Sequence, residues 1–203
     1  MLTPAIKMDG MAPAAVPTLT GRRLVLRAIR PADRQTFQGR IRDPEIVRMR
    51  GGDASSAGRR PPSLVARNWY ESMTTNPNPY NWIIDVDGRH VGSCSLFNAV
   101  AIDRRAAYAI GIDEPSLLGQ GLGREATRLV LAHAFGPADL HRVDLRVLSY
   151  NTRAIACYRA CGFLEEGRER QAALVDGTWH DFVIMGILES DWRSAAETVT
   201  PGP

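Results

Sequence analysis

Leu118-Gly119-Gln120-Gly121-Leu122-Gly123 stands between two periodicities. Before it, Ala106 to Asp113 reads as a strand. After it, Leu122, Ala126, Leu129 and Val130 share one helical face, which predicts a helix over Gly121 to Phe135. A glycine-rich turn that closes a strand and opens a helix gathers unpaired N–H groups and the positive end of the helix dipole. Without a Cβ, its backbone can approach an anion closely. The same glycines also suit a plain structural turn. Two rival phosphate motifs do not fit: no Gly-Lys-Ser/Thr closes the stretch, and the third glycine follows the second after two residues rather than three.

Downstream, Val143 to Leu148 alternates as a strand. Thr152 to Cys161 then reads as a helix stopped by Gly162. Asn151 sits where strand gives way to helix and is a natural N-cap. Tyr158 lies two turns further along the same face, where packing with a wet hydroxyl is its ordinary role. Phe163 to Val175 and Thr178 to Leu188 read as two long strands across the turn Asp176-Gly177.

Upstream, Trp82 to Val86, Val91 to Phe97 and Ala106 to Asp113 predict an antiparallel meander, with Asp87-Gly88 as its first turn. Arg22 to Arg27 reads as a short strand, and Pro31 opens a helix over 31–41. Gly51 to Pro62 reads as a mobile loop. Val65, Trp69 and Met73 place a helix over 63–74. Strands around two helical crossovers make a mixed α/β or α+β domain.

The 203 residues suit one domain over 18–192, with flexible ends at 1–17 and 193–203. A net charge of +3, with arginines spread along the chain, is too small for a nucleic-acid partner. Three cysteines, Cys94, Cys157 and Cys161, form no CxxC pair, which argues against a disulfide framework or a zinc site, and no metal is expected. No run of 18 apolar residues exists to span a membrane, and the N-terminus lacks the pattern of a secretory signal. A cytoplasmic enzyme is the simplest expectation.

Gly119 to Gly123 resembles motif A of the GNAT acyltransferase superfamily. Asn151 to Phe163 resembles its motif B, in Asn151, Ala154, Tyr158 and the closing Gly162-Phe163. The element order is similar over roughly residues 20 to 190. The resemblance implies a GNAT-like fold: a central, mostly antiparallel sheet splayed around the acyl-CoA site and flanked by helices. It implies acetyl-CoA as co-substrate, held at Ile112, Leu118, Gly119, Gln120, Gly121, Leu122, Gly123, Asn151 and Tyr158. Ile112 would polarise the thioester carbonyl, Asn151 would hydrogen-bond the pantetheine arm, and Tyr158 would protonate the leaving thiolate. Where the family often has Arg or Gln to open motif A, this chain has Leu118.

An attacking amine must lose a proton to a base or a water relay. Asp113 resembles the strand-end Asp that is the base in some aminoglycoside N-acetyltransferases; it reads equally as a solvated strand-end carboxylate. Glu114 and Asp85 are reserves, Ser149 could assist or merely face a strand, and His180 could line the acceptor site or lie on the surface. The acceptor expected is a small cationic amine such as an aminoglycoside or polyamine, bound by acidic residues drawn from Asp53, Asp85, Asp87, Asp113, Asp176 and Asp181; the protein would then be an antibiotic-resistance or metabolic enzyme. One alternative is N-terminal acetylation of a ribosomal protein, because Leu24-Val25-Leu26-Arg27 followed by Pro31-Ala32-Asp33 is typical of that branch. Another is a CoA-binding module without catalysis. A homodimer is common among similar proteins.

Overall fold

The computed structural model describes residues 16–75 and 80–197. The chain opens with two short strands, β1 (Leu19–Thr20) and β2 (Val25–Arg27), then three helices, α1 (Pro31–Gly39), α2 (Pro44–Met49) and α3 (Ser63–Thr75). The meander follows: β3 (Asn81–Val86), β4 (Arg89–Val100) and β5 (Arg105–Ile112). Then come α4 (Leu122–Ala134), β6 (Arg142–Leu148), α5 (Thr152–Arg159), the hairpin β7 (Leu164–Val175) and β8 (Thr178–Leu188), and α6 (Glu189–Glu197). The strands form one eight-stranded mixed sheet in the order β1-β2-β3-β4-β5-β6-β8-β7.

Every neighbouring pair is antiparallel except β5 and β6. That parallel pairing has only three rungs, Arg105↔Arg142, Ala106↔Val143 and Ala107↔Asp144. Beyond it, β5 stays on β4 as far as Ile112 and β6 stays on β8 as far as Leu148, so the sheet opens in the middle. The splay expected from the resemblance is present. Leu122, Ala126 and Val130 of α4 and Ile155 and Tyr158 of α5 are buried with Tyr108, Val143, Leu145 and Met185 of the sheet in one core. Each fully buried aliphatic side chain there stabilises the fold by about 1.5–3 kcal/mol.

Some expectations shift. The strand expected from Arg22 begins only at Val25, because Gly21 N–H closes on Leu24 O at 2.9 Å and bends residues 22–23 out of the sheet. Helix α2 falls where no element is expected, although Asp43-Pro44 is a helix start: the Asp43 carboxylate accepts from Ile46 N–H at 3.0 Å, and Pro44 takes the first turn, where no N–H is needed. The boundary expected at 192 falls inside α6, which continues to Glu197 while Trp192 packs near Phe135. At the other end, Pro17 O accepts the Trp82 indole N–H at 2.7 Å, so residues 16–17 are anchored. Residues 1–15 and 198–203 of the expected flexible ends lie outside the described residues.

Candidate active site

A cavity of about 610 Å³ fills the opening between β5 and β6. Asp113 N–H donates to Val91 O at 2.8 Å. N–H groups alternate sides along a strand, so those of Ile112 and Ile110 point the other way, into the gap that β6 has left. Ile112 therefore offers a backbone donor at the cavity wall. Tyr158 of α5 lines the same gap, packed edge-on to Tyr108 with ring centroids 6.5 Å apart. Its hydroxyl has no hydrogen-bond partner among the described residues, and burial pushes it well above the usual phenol range, so it stays protonated at neutral pH.

The glycine-rich turn forms one end of the cavity. Gly119 and Gly121 have φ of 74° and 82°, the left-handed region where a Cβ is strained. Gly121 is the N-cap of α4 and supplies no side chain to the helix N-terminus. The first-turn N–H groups of Leu122 and Gly123 therefore keep their donors for a ligand. Leu118, Gly119, Gly121, Leu122 and Gly123 all line the cavity. Gln120 does not: its side chain donates to Ser116 O at 2.5 Å, and its carbonyl accepts from Arg23 at 2.7 Å. Arg23 also pairs with Glu125 of α4 at 2.8 Å, so it clamps the turn from outside.

Asn151 lines the cavity while capping α5, its Oδ1 accepting from Ala154 N–H at 3.1 Å. Its Nδ2 donates to Met49 O at 3.1 Å, which joins α2 to the donor-side helices. Cys157 lines the cavity and Cys161 is buried behind it.

Asp113 lies elsewhere. Its Oδ2 takes Arg40 at 2.7 Å and its Oδ1 takes Arg50 at 2.6 Å, and it lines a second, smaller cavity rather than the first. Asp85 is buried against Arg27 at 2.7 Å, beside Asp33 and His90, and is not brought to the cavity. His180 stacks edge-on against Tyr150 at 4.6 Å and does not line the cavity either. Asp53 accepts from Ser55 N–H at 2.6 Å, Asp181 from Gln171 N–H at 2.9 Å and Glu114 from Ser116 at 3.2 Å. Asp87 and Asp176 occupy turns with positive φ. Among the described residues, no Asp, Glu or His lines the larger cavity, whose charged groups are Arg50, Arg124, Arg146 and Arg153.

A model of the acetyltransferase (GNAT) domain matches residues 23–164. The chain belongs to the GNAT acetyltransferase family. Escherichia coli spermidine N(1)-acetyltransferase is 28% identical over 133 residues, 66% of this chain and 70% of that protein. The Bacillus subtilis ribosomal-type relative YdaF is 32% identical over 107 residues, 53% of this chain. The match covers 58% of that protein, so the chain spans little more than half the length of this relative and of YjcK from the same organism. The solved structure of Vibrio cholerae spermidine N-acetyltransferase with CoA and spermine shares the fold, at a TM-score of 0.71 and 23% identity over 84% of this chain and 98% of that one. Among the described residues, no helix of this GNAT protein is long and apolar enough to cross a membrane, and no group of His, Cys, Asp or Glu is placed to hold a metal ion.

Proposed function

We propose that this GNAT protein moves an acetyl group from acetyl-CoA to an amine by direct attack in a ternary complex. The observation that supports this reading is the alignment along one opening of the uncapped glycine turn at α4, the strand-edge N–H groups of Ile110 and Ile112, and the unpartnered Tyr158 hydroxyl. Each answers one demand of the reaction. The turn holds the pyrophosphate on backbone N–H groups. The N–H of Ile112 stabilises the oxyanion as the amine attacks the carbonyl carbon. Tyr158 donates its proton as the C–S bond breaks and the thiolate leaves. The amine's proton goes to water, since no carboxylate or imidazole lines the cavity among the described residues.

Asp113 is then a positioning residue for Arg40 and Arg50 rather than the base. For the acceptor, the reading expected from sequence, a small cationic amine such as a polyamine or aminoglycoside, draws support from relatives named for spermidine. N-terminal acetylation draws support from a relative named for ribosomal protein uS5 alanine. The acidic residues expected to bind a polycation do not face the cavity.

Thiol release from acetyl-CoA against a panel of amines tests the transfer. Tyr158→Phe is expected to abolish most turnover and leave CoA binding intact. Binding of CoA with no thiol release for any amine would instead support a CoA-binding module.

A further inference from the structure

The second cavity, about 260 Å³, shares Ile46 and Arg50 with the first, so these two side chains form the partition between them. Its apolar lining is Phe37, Ile41, Ile46, Val47 and Pro61. Its charged lining is Arg40, Arg42 and Arg50 against Asp43 and Asp113, three guanidinium groups to two carboxylates. Asp43 is engaged as the cap of α2. Asp113 is divided between Arg40 and Arg50, one oxygen to each, so one positive charge of that trio is left over. The half-buried Arg42 side chain has no hydrogen bond or ion pair among the described residues, and its backbone is held by Arg59 and Gly58.

Arg50 also lies against the reacting edge. A Cβ on Gly111 would stand 1.8 Å from Arg50 Nη2, so glycine is required for the guanidinium to rest on β5, one residue from Ile112. A group bound by Arg50 is thereby adjacent to the carbonyl that Ile112 would polarise.

We propose that the second cavity is the acceptor subsite, and that the acceptor is an amine carrying a carboxylate and an apolar body. This rests on the acetyl-transfer reading. The carboxylate pairs with Arg42 and the open side of Arg50, whose forked donors match two oxygens. The apolar body packs on Phe37, Ile41 and Val47, and the amine reaches the thioester past Arg50. Among the described residues, a polyamine meets an arginine surplus in both cavities, and the two carboxylates that line the second, Asp43 and Asp113, already accept hydrogen bonds from the Ile46 N–H and from Arg40 and Arg50.

Calorimetric titration of the full chain, loaded with CoA, tests this with leucine, phenylalanine and 6-aminohexanoate, the amide of each, and spermidine. At least one acid is expected to bind about tenfold or more tightly than its amide and than spermidine. Arg42→Gln or Arg50→Gln is expected to remove that preference, with CoA affinity unchanged in Arg42→Gln. Amides or spermidine binding as well as every acid overturns the proposal, as does a preference that survives both substitutions. Thiol release from acetyl-CoA separates the two readings. An acid that binds through Arg42 without releasing thiol keeps the subsite and sinks the transfer; release with spermidine and with no acid does the reverse.

Discussion

Around the larger cavity, the proposed donor wall, the glycine turn and the β5 edge present backbone groups beside the Tyr158 side chain; the smaller cavity, the proposed acceptor wall, presents charged side chains. The turn at Gly119–Gly123, the start of α4 and the edge of β5 present N–H groups whose directions follow from φ, ψ and strand alternation. The α1–α2 side presents Arg40, Arg42 and Arg50, whose effect depends on which carboxylate each one finds. The first wall is expected to depend on a few glycines and on Tyr158. The second depends on charge balance, and its anchor is a buried polar cluster: Arg40 Nη2 donates to the carbonyl of His90, whose ring lies beside the Arg27–Asp33 pair.

Tyr158→Phe should give the largest effect, because in the proposed mechanism it removes the proton given to the leaving thiolate. A fall in kcat of about 100-fold or more is expected, with the KM for acetyl-CoA nearly unchanged. An unchanged kcat in steady-state thiol release would show that the donor wall works through its backbone alone.

Acidification should next strain the acceptor wall. Burial, aided by the Arg40 charge, depresses His90 from 6.5 to about 4. Between those values the unfolded chain binds a proton that the folded one refuses, so stability is full above pH 6.5 and falls as pH drops towards 4. The loss at the low end is about 3 kcal/mol. Denaturant unfolding of the protein and of His90→Leu at pH 7 and pH 4.5 checks the sign; an equal loss in both would remove His90 as the cause.

Two glycine substitutions should separate the walls at about tenfold each. Gly119→Val forces a β-branched residue to a φ of 74°, where nothing obstructs the side chain but the backbone is strained, so the KM for acetyl-CoA should rise about tenfold. Gly111→Ala places a Cβ on the Arg50 guanidinium and should cut acceptor kcat/KM about tenfold while donor binding holds. If each instead changed both substrates' KM equally, the division into walls would fail. The smallest effect belongs to Glu45→Gln, which breaks the exposed pair to Arg153 at 2.7 Å between α2 and α5; less than about 0.5 kcal/mol of stability should go, read by thermal melting.

The local backbone around the larger cavity was legible in the sequence. Glycines at Gly119 and Gly121 announce the left-handed turn, and Asn151 announces the start of α5, because sterics and capping act within a few residues. Tyr158 was legible only through the spacing that ties it to Asn151. Asp113, Asp85 and His180 were expected from sequence at the site, and none of them lines the larger cavity. Each sits at or near a strand end or hairpin, where direction in sequence says little about neighbours in space. The short helix α2 escaped because six residues carry too little periodicity, though Asp43-Pro44 marked its start.

By itself, then, the sequence determined the backbone half of this protein: the glycine turn, the helix that follows it, the capped α5 and the strand β5 that borders the opening. Those features arise from interactions between residues a few positions apart. Only the tertiary structure decided which charges survive to meet a substrate. Asp113 and Arg40 stand 73 positions apart in the chain and 2.7 Å apart in space. Coulomb energy follows the second separation, and no local pattern encodes it.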